Sequence, residues 1–539
     1  MEMRPGSKAC LGQGLLVLVI FLGGVIFIAL AEASSPEPLR KPWLLPFDIG
    51  QKRSRDPVVL QPSQKQVYEF AWDSFIALNW PYLVTTPSGK EGLRGQPDPS
   101  APGLPIFGDS DPLRPSPMVV WESYFTPDEV FVDNPDPDNY PVVWGSPDFL
   151  DIDSGLKELR PAGYNGQFAP GINQPYTHAN VPTGPVVDQN KNYLRYEVTL
   201  NQSFFSYIAT FKYFSADVQK RVVQNYVNYA WDNGEPPPSG DTDYFQPLPV
   251  GTEAYVLAQP DYAQQGLTEV KAAWKVLQTE GENADIPERY FRRSMKIPTP
   301  DGSYETKLVG LVGLHVHRVT PFGHLPSTFE HVDNVELNRV PGDPLPLPKT
   351  PSLNPGQRFS QFWSRSGGGY PNGYEVNGLS GQPGLIPQAF MLGDALPPVD
   401  ERRAINVSRV DPIPDAVQEV NREYRVKLKD SVLRYYQLVG AQNESGTRDN
   451  PFVEINHPFL GPGIPNENLG PGIPGAQYSN TPNLINTTLE SYTQRGFSCA
   501  RCHLNAFPQG VEAYPPFEKR FAPLHVMSFL LLSAQPEDD

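Results

Sequence analysis

The feature that most constrains the fold of this chain is a Cys-Ala-Arg-Cys-His motif at residues 499–503, because only 36 residues follow His503. This spacing is typical of c-type haem attachment: Cys499 and Cys502 would form thioethers to the porphyrin, and His503 would bind the iron. A piece of 36 residues is too short to enclose a porphyrin by itself. The motif therefore predicts one covalent haem c built into a large domain formed by the preceding chain.

Other uses of the two cysteines remain open from the motif alone. A redox-active pair normally begins the helix of a thioredoxin-like βαβ unit, which the sequence does not suggest. A zinc site would need four ligands, usually with a second Cys or His pair. A disulfide across two residues would be strained. Haem is therefore the favoured interpretation, with a zinc or redox site as the alternative.

The N-terminus has the pattern of an export signal. Arg4 and Lys8 precede an apolar run at 15–30, which is short for a membrane span, and small residues suited to cleavage follow at 29–33. Residues 1–33 are predicted to be a signal peptide. The alternative is an uncleaved N-terminal anchor, which would be the only expected contact of the protein with a membrane. The expected location is the periplasm.

The composition describes an acidic, loop-rich protein. The chain has 43 Lys and Arg against 60 Asp and Glu, a formal charge of -17, which argues against nucleic acid and suits a basic partner. Its 62 prolines and 45 glycines indicate many loops, while 28 phenylalanines and 25 tyrosines supply a core. Cys10 precedes the apolar run and would leave with the signal, so the mature chain would hold one cysteine pair.

Hydrophobic periodicity predicts a mixed α+β fold. Helices are predicted at 63–79, from Gln202, at 216–231 and, as the longest, at 415–439. Strands are predicted at 193–200, 267–277 and 308–319. We expect residues 34–480 to form one large loop-rich domain, which the haem-attachment segment 481–539 completes.

Two Ser/Thr-x-x-Glu patterns predict helix starts. One is Ser327-Thr328-Phe329-Glu330, between His324 and His331. The other is Thr487-Thr488-Leu489-Glu490, from which a short helix would run towards Arg495 and lead into the cysteine motif.

Several side chains are candidates for the distal side of the haem. Met527, 24 residues beyond His503, is the first candidate for the sixth iron ligand, and the alternative is that it fills an apolar core. His525 shares that segment. His315 and His317 are predicted to share one strand face with Leu311 and Val319, where they would face the haem or be hydrogen-bonded core residues.

The remaining histidines carry weaker signals. His331, Asp333 and Asn334 would form a polar cluster or a network at a helix end. His178 and His457 fall in loop-like sequence and indicate little.

The run NTTLESYTQRGFSCARCH at 486–503 resembles the C-terminal motif of large bacterial monohaem cytochrome c family proteins. Further similar blocks are VLRYYQLVGAQ (432–442), EVKAAWKVL (269–277), LVGLHVHRV (311–319) and STFEHVDN (327–334). The resemblance covers much of 190–505 and implies a periplasmic haem protein of unassigned activity, with Cys499, Cys502 and His503 binding the haem. It supplies no catalytic residues. Members of that family tend to carry tryptophans shortly before the TFEHVDN-like block. This chain has no tryptophan at that place, so one wall of the haem pocket is expected to differ.

Three functions are compatible with these predictions. The first is electron transfer with a periplasmic redox partner protein. The second is a haem oxidoreductase acting on a small oxidant such as peroxide or dioxygen, with an open iron and His315, His317 or His331 as acid–base group. The third is a binding or scaffold protein with a structural haem. The sequence has no P-loop, HExxH or GxSxG motif that would favour another enzyme class.

Overall fold

The computed structural model has an α+β fold built on one antiparallel sheet, as the sequence predicts. The longer stretches that the structure describes are 63–85, 89–105, 116–140, 142–145, 187–238, 240–246, 266–298, 303–320, 323–335, 413–442, 486–489, 508–510 and 529–537. The shorter ones are 20–21, 24–25, 42, 45–46, 177–178, 181–182, 375–376, 405–406 and 484.

The main sheet has six strands. They are β1 (Arg195–Leu200), β2 (Thr268–Val276), β3 (Arg292–Pro298), β4 (Tyr304–Thr320), β5 (Gly323–His331) and β6 (Tyr436–Ala441). Their order is β6-β5-β4-β2-β1, and β3 pairs with the first part of β4. The three predicted strands are confirmed as β1, β2 and β4. Strand β4 has 17 residues and is paired on both edges. Residues 309–314 are buried on both faces, which is why this part of its sequence is apolar throughout.

Five α-helices surround this sheet in the described residues. They are α1 (Gln64–Leu78), α2 (Pro127–Val130), α3 (Gln202–Thr210), α4 (Ala216–Asn233) and α5 (Asp415–Lys427). Helix α1 begins at a capping box, in which Ser63 and Gln66 satisfy each other's backbone N–H groups. Helix α4 ends at Gly234, whose φ of 74° places it in the left-handed region that favours glycine.

The prediction of a helix over 415–439 is wrong in its second half. Helix α5 ends at Lys427, and the chain passes through a 3-10 turn at Val432–Tyr435 into strand β6. The apolar residues keep helical spacing beyond 427, but the backbone of 436–441 pairs with β5 instead. The longest described helix is therefore α4.

The prediction that Ser327–Glu330 begins a helix is also wrong, because these residues lie inside β5. Phe329 of this stretch packs on α1, with its ring centroid 4.2 Å from that of Phe75 and 5.0 Å from that of Trp72. Burial of the alternate side chains of a strand outweighs the local capping preference here.

The register of the sheet defines two faces, because opposite residues of antiparallel strands point the same way. The helix face, which packs on α1, is defined by Trp274, Arg318 and Phe329. The tail face is defined by Tyr196, Lys271, Gly313, His315 and Glu330.

Strand β4 carries one extra residue opposite β2. Ala273 pairs with Gly313, whereas its neighbour Trp274 pairs with Leu311, so Val312 forms a bulge. Ala273 and Trp274 point to opposite faces. Gly313 and Leu311 therefore do so as well.

The bulge corrects one sequence prediction. His315 and His317 do share a face with Val319, as strict alternation from Gly313 requires. Leu311 lies on the opposite face, so the prediction that it accompanies the two histidines is wrong.

One end of the tail face is covered by an apolar cluster with α3 and α4. Its members include Val198, Leu200, Val319, Phe204, Val222, Leu530 and Leu531. Leu530 and Leu531 belong to a 3-10 turn at Phe529–Ser533. The C-terminal residues thus pack on the same side of the sheet as His315.

The chain divides into two compact units, within each of which the residue contacts are concentrated: Met1–Leu39 and Arg40–Asp539. Of the first, the structure describes only an antiparallel pair, Ile20–Phe21 with Gly24–Val25. Most of the predicted signal peptide lies outside the described residues. Among the helices that are described, none has the length and apolar character needed to cross a membrane.

A buried asparagine joins α1, α5 and β6. Asn421 accepts hydrogen bonds from the Trp72 indole N–H (2.9 Å) and the Leu438 N–H (3.0 Å), and donates to the Leu438 carbonyl (2.9 Å). The Trp72 indole N–H and the backbone of Leu438 in the edge strand β6 thereby have hydrogen-bond partners in the core.

We predict that Asn421→Ala lowers the free energy of unfolding by about 3 kcal/mol, because it leaves two buried donors and one buried acceptor without their partner. Asn228→Ala, which removes an exposed amide bonded to Gln224, should change it by less than about 0.5 kcal/mol. Urea titration of both variants measures the difference. Equal effects would contradict the structural role of Asn421.

Candidate functional site

The tail segment, residues 486–489, is the last described stretch before the cysteine motif, and it is buried against the tail face. Its main partner is the carboxylate of Glu330, which has no exposed surface. Oε2 accepts hydrogen bonds from the Thr487 hydroxyl (2.8 Å) and the Thr487 N–H (3.2 Å), and Oε1 accepts one from the Gln437 amide (2.9 Å). Charge-assisted bonds of this kind are the stronger ones in proteins.

Asn486 connects the segment to β5 beside this carboxylate. Its amide nitrogen donates to the Thr328 hydroxyl (2.9 Å) and to the Phe329 carbonyl (2.7 Å). Its amide oxygen accepts from the N–H (2.9 Å) and the hydroxyl (2.7 Å) of Thr488. The tail segment is therefore a structured turn. Hydrogen bonds from side chains of both the segment and the strands hold it against the sheet.

Close approach between the segment and β4 depends on a glycine. A Cβ atom added to Gly313 would lie 2.1 Å from the Thr488 hydroxyl and 3.3 Å from the Asn486 amide oxygen. The Tyr196 hydroxyl donates to the Thr488 carbonyl at 2.9 Å. Strands β1, β4 and β5 thus all contribute to the docking surface.

The structure places Thr487 differently from the sequence prediction. Its hydroxyl donates to Glu330, and residues 487–489 form a turn. The remainder of the predicted helix, from 490 towards Arg495, lies outside the described residues.

The haem-motif and distal-ligand predictions also lie outside the described residues. They concern Cys499, Cys502, His503, His525 and Met527.

The chain is anchored again shortly after the motif. The N–H of Gln509 donates to the side-chain oxygen of Gln219 on α4 at 2.8 Å, and the amide nitrogen of Gln219 donates to the Leu531 carbonyl at 2.9 Å. Gly510 lies against the backbone of Lys220. In sequence, residues 499–503 therefore fall between two segments that dock on the main domain.

Titratable side chains occupy the middle of the tail face, between the tail segment and the apolar cluster. Lys271 of β2 pairs with His315 of β4, and Glu269 pairs with His317 in the next row. Lys271 is buried, and the other three are half-buried. Ionisable groups rarely occupy a buried sheet face unless they meet polar or charged partners.

His331 is held as a neutral imidazole. Its Nδ1 accepts from the Asp333 N–H (3.1 Å), so the proton is on Nε2, which donates to the Arg289 carbonyl (3.0 Å). Burial lowers the pKa of His331 well below its usual value, and the ring stacks on Tyr290 at 4.0 Å. With both nitrogens bonded to backbone, His331 offers neither a lone pair to iron nor a proton to a substrate.

The predicted polar cluster around His331 is present. The N–H of Asn334 donates to the His331 carbonyl at 3.2 Å, and the Arg289 guanidinium binds the Asp333 carboxylate. The amide of Asn334 also reaches the Thr487 hydroxyl at 3.4 Å. The cluster therefore helps to hold the tail segment through Asn334 rather than forming an open site.

Three buried charged side chains lie close together at the end of β2, those of Asp188, Lys275 and Asp285. The ammonium of Lys275 is 2.7 Å from an Asp285 oxygen and 3.6 Å from an Asp188 oxygen. Burial raises the pKa of Asp188 to about 6 against the lowering effect of Lys275 and of backbone N–H groups. Burial lowers the pKa of Lys275, but the two carboxylates outweigh it and the net shift is upward. Lys275 is thus a charged structural group, not a nucleophile.

Comparison with known proteins gives no family. No protein-family model matches the chain, and neither a curated protein nor a solved structure resembles it at a significant level. The resemblance to monohaem cytochrome c family proteins therefore depends on the sequence blocks alone. Among the described residues, no group of three or more His, Cys, Asp or Glu is arranged to hold a metal ion.

Sequence reasoning missed the residues that dock the tail. Glu330 was read as a helix cap, and Asn486, Gly313 and Tyr196 were not singled out. The sequence carries no signal for this docking, because the need of Glu330 for donors follows from its burial, which only the structure shows.

We predict that Gly313→Ala detaches the tail segment, because the new methyl group would overlap the Thr488 hydroxyl. Amide hydrogen exchange of Thr487 and Thr488 should become at least tenfold faster. Gly145→Ala is the control, since its Cβ would meet nothing closer than 3.8 Å. Unchanged protection in Gly313→Ala would contradict the docking geometry.

Proposed function

We propose that this chain is an exported c-type haem protein that transfers electrons in the periplasm. Cys499 and Cys502 would bind the haem covalently, and His503 would be the proximal ligand. The observation that carries the proposal is the Cys-x-x-Cys-His spacing, since two thiols and an adjacent imidazole are the donor set that haem c requires. When bound, the haem iron supplies one-electron redox chemistry.

The docked tail segment supports this proposal, because it holds the chain against the sheet shortly before the motif. Residues 486–489 are fixed by Glu330, Gly313 and Tyr196, and the first cysteine follows Leu489 by 10 residues. The sheet would therefore form a wall of the haem pocket. The half-buried side chains on the tail face would meet the porphyrin or its propionates and limit access of water.

The described histidines favour a carrier over an enzyme. His331 was one of three candidates for acid–base chemistry, and both of its ring nitrogens are bonded to backbone groups. His315 and His317 remain as candidates, so the structure removes one of the three acid–base assignments. An acidic chain of net charge -17 suits a basic redox partner protein.

We predict that Cys499→Ala/Cys502→Ala abolishes covalent haem staining on denaturing gels, while wild-type protein from cells that mature c-type haem retains it. Each single variant should keep one thioether, which shifts the absorption band of the reduced pyridine complex relative to the wild type. Staining that survives in the double variant would contradict the assignment. Loss of staining with retained partner binding would favour the scaffold function.

Carbon monoxide separates the carrier from the oxidoreductase. A carrier with both axial positions filled should be low-spin as ferric protein and insensitive to carbon monoxide as ferrous protein. A high-spin ferric spectrum with rapid carbon monoxide binding would support the oxidoreductase function and contradict the electron-transfer function.

A further inference from the structure

The buried charges at the end of β2 do not balance. Asp188, Lys275 and Asp285 bring two carboxylates to one ammonium, and their side chains are only 0, 1 and 4% exposed. We propose that Asp188 is a proton-binding site, at which the folded protein takes up a proton in mildly acidic solution and is stabilised by doing so. The inference is independent of the proposed haem function.

Asp285 has donors for both of its carboxylate oxygens. Its Oδ1 accepts from the Lys275 ammonium at 2.7 Å and from the Tyr290 hydroxyl at 3.5 Å. Its Oδ2 accepts from the backbone N–H of Gln278 at 2.8 Å. Hydrogen bonds to the charged form favour that form, so this carboxylate is suited to remain ionised.

Asp188 has donors for only one of its oxygens. Its Oδ1 accepts from the backbone N–H groups of Asn190 (2.9 Å) and Asn192 (2.8 Å), which closes the turn at 188–192. Its buried Oδ2 has no hydrogen-bond partner among the described residues, and the Lys275 ammonium lies 3.6 Å from it. The geometry therefore selects Oδ2 of Asp188 as the atom that binds the proton.

The surrounding groups do not supply the missing positive charge. Arg289 is paired with Asp333, and His331, which both Lys275 and Arg289 influence electrostatically, is neutral. Other charged residues of the turn and of the loop that follows β2 are exposed, where water screens them: Lys191, Glu280 and Glu282. One negative charge therefore remains in excess in the buried group.

The direction of the pH effect follows from this excess. Burial raises the pKa of Asp188 to about 6, whereas an aspartate in an unfolded chain has a pKa of about 3.9. The folded chain therefore binds the proton more tightly than the unfolded chain. The stability that this proton contributes is fully present below about pH 4 and is lost as the pH rises through about 6.

The test measures the unfolding equilibrium constant of the full-length protein by urea titration at about pH 7.5 and about pH 4.5. Asp188→Asn keeps the oxygen that closes the turn but cannot ionise. The ratio of the wild-type constant to that of Asp188→Asn should fall about twentyfold between the higher and the lower pH. Asp188→Ser also keeps an oxygen acceptor, and it should give the same fall.

Asp136→Asn is the matched control. Asp136 closes an equivalent turn by accepting from the N–H groups of Asp138 (2.8 Å) and Asn139 (3.2 Å), but it is exposed. The ratio of the wild-type constant to that of this variant should change less than about twofold over the same range.

Infrared difference spectra of the folded proteins between about pH 7.5 and about pH 5 locate the proton directly. The wild type should gain a C=O band of a buried, protonated carboxyl group that Asp188→Asn and Asp188→Ser lack and Asp136→Asn retains. A ratio that stays constant with pH for the Asp188 variants, or a band that persists in them, would overturn the assignment. Neither result would affect the haem proposal, which the covalent staining tests separately.

Discussion

The buried carboxylate of Glu330 is the constraint on which the rest of the structure depends. A carboxylate inside a sheet is stable only if donors replace its lost water. Gln437 supplies one donor from β6, and Thr487 supplies two from a segment more than 150 residues further along the chain. The sheet and the tail segment therefore complete each other, and residues 486–489 belong to the core of the domain.

This dependence supports the proposed haem function, because a covalent haem would need pocket walls that the attachment motif does not itself supply. The sheet offers a rigid face, and Gly313 and Tyr196 let the tail approach it closely. A site built on strands is also held more precisely than one built on loops.

The sequence pattern predicted those helices and strands in which the buried side chains recur at one regular spacing throughout. Helix α1 and strands β1, β2 and β4 were recognisable from their hydrophobic periodicity and residue types. The helix over 415–439 failed beyond Lys427, because pairing with β5 outweighs helical spacing there. Strand pairing is a long-range interaction, so it leaves no trace within a short window of sequence.

The candidate site was predictable only in part for the same reason. The motif at 499–503 and the histidines of β4 were visible in the sequence. The face on which His315 lies relative to Leu311 depends on the bulge at Val312, and a bulge is set by the partner strand. The roles of Glu330 and Asn486 depend on contacts between distant segments, which spacing alone does not encode.

The mass of the exported, mature polypeptide tests the central claim most directly. The account predicts one haem added covalently to the peptide that contains Cys499 and Cys502, with the mass retained after denaturation. Two free thiols, a disulfide or bound zinc in that peptide, in protein isolated from cells competent for haem attachment, would contradict it.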